Sequence, residues 1–312
     1  MQARYDMACS RSFFLRGKAT GACSRRTTNW NDHMSGSRKA VNPLQSLKTS
    51  LNSTSPLSEK ERDGTLLNGR LRYTQFRQGY RTGLEPVLMA AAIPARAGET
   101  VLEAGCGAGA GLLCLAARVP GVSGIGLEAD TDTVELAAHN FLNNPFSDSR
   151  TSLSVVQATL PAIPSTLRAR APTANGRFHH VMANPPWHSA HGTPSPDERR
   201  RLALSAENSD PQAWIRALTR WVLPGGTLTF IISAAIADRA CQTLLENGCG
   251  SIQLYPFWPK QGREAKLVLI QAIHGGKGIF RLRPGLILHE EDGRFTDAAE
   301  RVLRLGEALP GS

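Results

Sequence analysis

The sequence lacks any apolar run that approaches the roughly 20 residues required by a membrane-spanning helix. It also lacks a Cys-x-x-Cys pair, and none of its six cysteines has the spacing to a histidine that is typical of a zinc site. No internal repeat is visible, which argues against a solenoid or a propeller. We therefore predict a protein with no membrane contact and no metal, whose thiols stay reduced in the cytoplasm.

Acidic residues are scarce at the start of the chain. Residues 1–60 hold ten Lys and Arg against three acids, so this segment carries +7 of the total net charge of +10. It is polar and without periodicity, which predicts a disordered basic extension. Residues 1–33 are typical of a transit peptide, or else Met34 is the true start. The remaining residues, 61–312, are long enough for one large core, and we predict a single domain there.

Short apolar runs with strand character alternate with helical segments from residue 99 onward. This alternation predicts an α/β fold with a doubly wound, mostly parallel sheet of seven strands, in which a C-terminal antiparallel hairpin inserts. A turn is predicted at Pro224-Gly225-Gly226. The predicted strands are residues 99–104, 124–127, 153–158, 178–182, 227–234, 251–257 and 265–273.

A glycine-rich turn follows the first of these strands. Glycines let the backbone turn tightly and approach a ligand closely where a helix begins. The spacing Glu-x-Gly-x-Gly-x-Gly differs from the G-x-G-x-x-G of dinucleotide binders. Glu128 ends the second strand, 19 residues beyond the last glycine, where a carboxylate can accept hydrogen bonds from both ribose hydroxyls of an adenosine; a solvated acid is the alternative. The candidate cofactor residues of the turn are Glu103, Gly105, Cys106, Gly107 and Gly109.

The tetrad Asn184-Pro185-Pro186-Trp187 directly follows the fourth strand. The side-chain carbonyl of Asn184 and the backbone carbonyl of Pro185 can each accept one hydrogen of the same planar amino group. The prolines stiffen this corner, and Trp187 offers a flat face for stacking. The pattern is typical of a site for an amino group conjugated to a ring or a carbonyl. A plain loop or a cis-proline turn is the alternative.

Both motifs lie at the carboxyl ends of strands, where open α/β sheets bind ligands. In a doubly wound order the first and fourth strands are neighbours, so we expect the two motifs to share one cleft. This pair of motifs resembles the class I methyltransferases that use S-adenosylmethionine. The tetrad matches the (N/D)-P-P-(Y/F/W) motif of their amino-group methyltransferases. Further motifs lie outside this pair: Leu71-Arg72 and Gly79-Tyr80-Arg81-Thr82-Gly83-Leu84-Glu85 before the glycine turn, and Ala265-Lys266-Leu267-Val268-Leu269 and Gly275-Gly276-Lys277-Gly278 near the end. With these motifs, residues 65–305 resemble the bacterial adenine-N6 methyltransferases of valine tRNA.

The resemblance implies a Rossmann-like methyltransferase fold, the cofactor S-adenosylmethionine and a tRNA or other RNA as partner. It implies cofactor contacts from Gly83 and Glu85, which precede the glycine turn, although the family usually has an Asp where Glu85 stands. It also implies a contact from Thr159, where the family usually has an Asp that bonds the adenine of the cofactor. For the reaction it implies that Asn184 and Pro185 hold an extruded adenine stacked on Trp187.

Weaker signals leave two interpretations open. Five cations are candidates for RNA phosphate contacts or for a solvated surface: Arg199, Arg200, Lys260, Arg263 and Lys266. Three aromatic residues near the end of the sixth strand are candidates for base stacking, although core packing is the favoured interpretation: Tyr255, Phe257 and Trp258. His188 and His191 favour a polar loop over a metal site.

The sequence therefore predicts a methyltransferase that acts on the N6 amino group of adenine in RNA, as a monomer by default. Three alternatives stay open. A protein glutamine N5-methyltransferase uses the same tetrad on a side-chain amide, a DNA adenine enzyme uses it on another nucleic acid, and a non-catalytic nucleic-acid-binding protein can retain the fold.

Overall fold

The structure is a computed structural model that describes residues 61–78, 81–171, 173, 175–186 and 210–311. All of these lie in one compact unit that spans Pro56–Ser312. The predicted extension over residues 1–60 lies outside the described residues, and so do Trp187, Arg199, Arg200 and the two loop histidines. No helix among the described residues is long and apolar enough to cross a membrane.

The elements follow the alternation that the sequence predicts, with ends that shift by one to five residues. The strands are β1 (Glu61–Leu66), β2 (Leu71–Phe76), β3 (Thr100–Ala104), β4 (Ser123–Glu128), β5 (Ser152–Gln157), β6 (Phe178–Ala183), β7 (Val222–Ser233), β8 (Cys249–Trp258), β9 (Leu267–His274), β10 (Arg281–Leu282) and β11 (Leu286–Ile287). The helices are α1 (Glu85–Ala92), α2 (Ala110–Arg118), α3 (Thr131–Leu142), α4 (Leu167–Arg170), α5 (Pro211–Thr219), α6 (Ala237–Glu246) and α7 (Asp297–Leu305), with a 3₁₀ turn at Ala234–Ile236.

The central sheet has the strand order β10-β8-β9-β7-β6-β3-β4-β5, and β11 also pairs with β8. Strands β7, β6, β3, β4 and β5 are parallel, and β9 lies antiparallel between β7 and β8. The doubly wound order and the inserted C-terminal hairpin are thus confirmed. The sheet is wider than the seven strands predicted, because two-residue strands extend it along the outer edge of β8.

The turn predicted at residues 224–226 lies inside strand β7 as a bulge. Phe178 pairs with Val222 and His180 with Thr227, so the four residues 223–226 face a single residue of β6. These four residues form the bulge, in which Gly225 has a φ of +79°. The Pro-Gly-Gly signal for a turn was correct, but the prediction that the strand begins only at Thr227 was wrong, because the strand resumes pairing on both sides of the bulge.

Helices cover both faces of the sheet and enclose two apolar clusters. One cluster joins α1 and α2 to the sheet and includes Leu88 and Leu113, both fully buried. The other joins α5 and α6 to the opposite face and includes Phe178, Leu218 and Phe230. Burying each of these side chains contributes about 1.5–3 kcal/mol to folding. The helices packed on the two faces hold the parallel strands in register. The carboxyl ends of these strands therefore meet at one edge of the sheet.

Candidate cofactor and acceptor site

The carboxyl ends of β3 and β6 lie side by side. The two strands are paired in parallel, with Ala104 opposite Ala183. The next residues, Gly105 and Asn184, therefore leave neighbouring strands at the same level, about 4.8 Å apart at the last pair. The predicted neighbourhood of the first and fourth strands of the alternating fold is confirmed, and both motifs open onto the carboxyl edge of the sheet.

The glycine turn adopts a conformation that only glycine takes readily. Gly105, Gly107 and Gly109 have φ of +66°, +54° and +89°. The amide of Cys106 donates to the carbonyl of Leu127 on β4, at 2.9 Å, which fastens the turn to the neighbouring strand. A Cβ on Gly107 meets no protein atom within 4 Å. The turn thus presents bare backbone and open space beside Gly107 at the start of α2.

Two bulky rings press against this turn from behind. A Cβ on Gly105 lies only 2.9 Å from the Trp214 ring of α5, and a Cβ on Gly109 runs into the ring of Phe141 on α3. Trp214 is 7% exposed. Neither ring is evident as part of the site from the sequence, because the distance along the chain conceals the contact. They show that these glycines are required for packing as well as for backbone conformation.

Glu103 supports the helix that follows the turn. Its carboxylate is buried and accepts a hydrogen bond from the Leu112 amide at 3.0 Å, in the first turn of α2. It lies against Gly111, where no side chain fits. Burial raises the pKa of Glu103 from 4.5 to about 8, and the Leu112 amide opposes this shift. The position indicates a support for the helix start; a direct cofactor contact from Glu103 stays a prediction.

Glu128 is held by backbone donors rather than solvated. One carboxylate oxygen accepts from the Gly107 amide at 3.0 Å, and the other accepts from the amides of Ala129 and Asp130 at 2.8 and 3.1 Å. Burial raises the pKa of Glu128, against the effect of these three donors. A carboxylate offers about four acceptor positions, so one remains for a ligand hydroxyl beside the glycine turn.

Asn140 joins three parts of the site, and the sequence analysis did not identify it. Its side chain accepts from the Thr74 amide at 2.8 Å, and it donates to the carbonyls of Thr74 and Ala108 at 2.8 and 2.9 Å. One turn later Asn144 bonds the amide and the carbonyl of Arg72 in the same manner. The two amides satisfy the free edge of β2 and fasten it to the glycine turn. The available signal was an Asn-x-x-x-Asn pair at the end of α3, with Asn140 in the last turn and Asn144 just beyond the helix.

The residues that the resemblance adds lie near this assembly. Thr82 shares a hydrogen bond of 2.6 Å with the buried Tyr73 hydroxyl, which places the 81–83 segment above β2. The Glu85 carboxylate folds back over Gly83. Thr159 is exposed, two residues beyond the pair formed by Gln157 and Glu128. Contacts of Gly83, Glu85 and Thr159 with a cofactor stay predictions.

The acceptor corner is described as far as Pro186. Asn184 and Pro186 are half-buried, and Pro185 is buried. Two consecutive prolines hold φ near −65° and contribute no amide donors, so the corner presents carbonyl groups. Trp187, the predicted stacking face, lies outside the described residues.

The loop between β8 and β9 lies at the same edge of the sheet as the two motifs. Leu267 of β9 is opposite both Phe257 of β8 and Ser233 of β7, so residues 259–266 project beyond the carboxyl ends. Arg263 and Lys266 are exposed there. The Lys260 ammonium donates to the carbonyl of Glu291 at 2.7 Å. Phosphate contacts from these cations stay predictions.

Two of the three aromatic candidates belong to the core, whereas Trp258 is half-buried and donates its indole N–H to the Pro284 carbonyl at 3.1 Å. Tyr255 and Phe257 are 2% and 1% exposed and belong to the core, as favoured. The described cysteines are all free thiols, namely Cys106, Cys114, Cys241 and Cys249. Among the described residues no group of three or more His, Cys, Asp or Glu is arranged to hold a metal.

The residues present fit S-adenosylmethionine. Bare backbone at Gly107 gives room for a ligand, and the Glu128 carboxylate beside it keeps one acceptor position for a ribose hydroxyl. The adjoining corner holds Asn184 and Pro185, whose contacts with an amino group stay predictions. The arrangement can hold a nucleoside-containing cofactor on β3 and β4 and an acceptor on β6.

The chain is similar to known methyltransferases in sequence and in fold. The sequence model of the N-6 DNA Methylase family matches residues 86–240. The tRNA1(Val) (adenine(37)-N6)-methyltransferase of Dickeya chrysanthemi is 24% identical over 249 residues, which cover 77% of this chain and 94% of that protein. The protein of the same name from Vibrio parahaemolyticus is 20% identical, over 70% of this chain and 85% of its own length. A crystal structure of a predicted O-methyltransferase from Agrobacterium tumefaciens superposes with a TM-score of 0.56 at 22% identity, over 72% of this chain and 97% of that one.

Proposed function

We propose that this chain, which is a class I S-adenosylmethionine-dependent methyltransferase, transfers a methyl group to the exocyclic N6 amino group of an adenine in RNA, with tRNA as the substrate class. The observation that carries the proposal is the register of β3 and β6, which brings Gly105 and Asn184 to one edge.

The acceptor corner accounts for the choice of an amino group. The Asn184 side-chain carbonyl and the Pro185 carbonyl accept the two hydrogens of a planar –NH₂ group, which turns the nitrogen lone pair out of conjugation. S-adenosylmethionine, the cofactor, supplies an electrophilic methyl group. No strong base is needed in the protein, because a methylated amino nitrogen loses its proton readily. Most of the rate enhancement then comes from positioning, and Trp187 stacks on the extruded adenine.

RNA is favoured over DNA and over protein by two observations. The curated relatives that the chain matches over most of their length are named for adenine-N6 methylation of a tRNA. The exposed Arg263 and Lys266 lie at the same edge as Asn184, where a polyanion has to lie if its base enters the cleft. The matching family model is named for DNA, and it covers the catalytic core that adenine methylation of either nucleic acid requires.

Methyl transfer from labelled S-adenosylmethionine to three acceptors tests the proposal. The acceptors are unfractionated tRNA, duplex DNA and a peptide release factor. We expect label in tRNA alone, recovered as N6-methyladenosine after nuclease digestion. Label in the release factor supports a glutamine methyltransferase instead, and label in DNA supports a DNA enzyme.

A fourth outcome concerns the non-catalytic alternative. If S-adenosylmethionine binds, tRNA binds and no acceptor is labelled under any condition, the chain is a binding protein of this fold. The Asn184→Ala variant serves as the blank for the measurement, because it lacks the amino-group acceptor and retains the glycine turn.

A further inference from the structure

Three large apolar side chains stand exposed within four positions at the outer edge of the sheet. Ile279, Phe280 and Leu282 are 75%, 54% and 70% exposed, and they make up half of the six large apolar side chains that the described residues expose. Together with their flanking cations they form a strip over residues 277–283, which we call the edge ribbon. Clustered apolar exposure on a folded protein marks a contact surface more often than scattered exposure does.

The backbone of the edge ribbon is fixed along β8. The Gly278 amide donates to the Ser251 hydroxyl at 2.8 Å, and the Arg283 amide donates to the Leu254 carbonyl at 2.8 Å. Between these points β10 pairs with β8 in parallel register. The backbone that carries these side chains is therefore held in place before a partner binds. Less conformational entropy is then lost on binding.

The charge of the edge ribbon favours an anionic partner. Lys277 and Arg281 are exposed cations, and no acidic residue occurs from residue 275 to residue 289. A second copy packed on this strip by two-fold symmetry brings its cations close to these two and is disfavoured by like-charge repulsion. A polyanion with flat apolar groups satisfies both the cations and the exposed Phe280 ring. Unpaired nucleotides have this combination of phosphate and base.

We propose that the edge ribbon binds unpaired nucleotides of the RNA substrate, with a base on Phe280 and phosphates at Lys277 and Arg281. The proposal rests on the proposed function, since the RNA is the methyl acceptor. The ribbon is four strand spacings from β6, which corresponds to about 19 Å. It therefore holds a part of the RNA several nucleotides from the reacting adenine, and it raises affinity without touching the chemistry.

A matched pair of double variants of the full-length chain tests this. Phe280→Ala with Arg281→Ala removes one exposed apolar side chain and one exposed cation from the ribbon. Leu245→Ala with Arg239→Ala removes the same types from α6, where both are exposed. Binding of labelled unfractionated tRNA is followed by fluorescence anisotropy over a series of salt concentrations, together with KM and kcat for tRNA.

The ribbon variant is expected to bind tRNA about tenfold more weakly, which is the loss of one stacked base. Its slope of log K against log salt is expected to fall by about 0.7, the value for one phosphate contact on a single strand. KM rises and kcat stays unchanged, while the α6 variant resembles the unmodified protein. Equal affinity and equal slope in both variants overturn the proposal. So does a ribbon variant that loses self-association in sedimentation while its tRNA affinity is unchanged.

Failure of this proposal and failure of the proposed function give different results. If tRNA is methylated and the ribbon variant binds tRNA normally, only the ribbon proposal fails. If the unmodified protein labels no RNA, the proposed function fails, and weaker tRNA binding by the ribbon variant then still identifies the ribbon as an RNA-binding surface.

Discussion

The two halves of the proposed site are built in different ways. The cofactor half, on β3 and β4, is held by four side chains: Glu103 on β3 itself, Asn140 and Phe141 on α3, and Trp214 on α5. The acceptor half, on β6, is held by its own two prolines and by the register with β3. A flexible glycine turn needs external supports, whereas a proline corner carries its stiffness in the chain.

This difference predicts how each half responds to substitution. Changes in the supports of the cofactor half affect stability and cofactor affinity together, since the same contacts serve both. Changes at the acceptor corner affect turnover alone. The four predictions below separate these responses.

Asn184→Ala is expected to reduce kcat by about a hundredfold to a thousandfold, because one of the two acceptors that orient the amino group is lost. The affinity for S-adenosylmethionine, measured by titration calorimetry, is expected to change by less than about twofold. Asn143→Ala, at the end of α3, is the control with full activity. Parallel loss of cofactor binding and turnover in Asn184→Ala contradicts the separation of the two halves.

Asn140→Ala is expected to lower the free energy of unfolding by about 3 kcal/mol, because it strands buried partners on β2 and on the glycine turn. Cofactor affinity falls with it. Asn247→Ala is the matched control, since that side chain bonds only the Thr243 carbonyl and is half-exposed. Urea denaturation measures the free energy of unfolding of the two variants. Similar losses in the two variants show that Asn140 is not a specific support.

Glu103→Gln is expected to change the dependence of stability on pH. Burial raises the pKa of Glu103 from 4.5 to about 8. Between these values the folded state retains a proton that the unfolded state releases, so the unmodified protein loses stability as pH rises from 4.5 to about 8. Gln does not ionise and still accepts from Leu112. Urea denaturation across this window should show the variant gaining about 1.4 kcal/mol per pH unit relative to the unmodified protein. Parallel pH curves contradict a buried, protonated Glu103.

A comparison of Gly107→Ala with Gly225→Ala separates the loss of stability at a positive-φ glycine from the loss of cofactor affinity. Both glycines have positive φ, and neither has a protein atom within 4 Å of an added Cβ. The two variants are expected to lose about 1 kcal/mol of stability each. Only Gly107→Ala is expected to weaken S-adenosylmethionine binding, by about tenfold, since its methyl group enters the space beside Glu128. Equal cofactor affinity in both variants moves the cofactor away from Gly107.

The sequence predicted the strand order well because the fold is carried by local signals. Apolar runs, the caps at Asp130 and Thr296, and the stop at Gly248 each act within a few residues. The bulge at residues 223–226 was misplaced, since a Pro-Gly-Gly turn looks the same whether the strand ends or resumes. The edge strands β10 and β11 were missed because two residues carry no periodicity.

The candidate site also contains residues that the sequence reveals and residues that only the structure reveals. The glycine turn and the tetrad were visible in the sequence, because their chemistry depends on residue types at short spacing. Trp214 and Asn140 were not, because they act on Gly105 and Ala108 from 109 and 32 residues away. Glu128 was visible as a strand-end acid and a candidate ribose acceptor. Two of its backbone donors, Ala129 and Asp130, follow it directly, and only the Gly107 amide reaches it from the glycine turn.

The sequence by itself determined which residues can turn, cap, stiffen and accept, since those properties are covalent and local. Only the tertiary structure decided that Ala104 faces Ala183, because strand register is set by the packing of helices on both faces of the sheet. That register brings two separate motifs to one edge of the sheet. The tertiary structure also decides which residues end the sheet. Among the described residues no strand lies beyond β10, so Phe280 and Arg281 stay exposed at that edge.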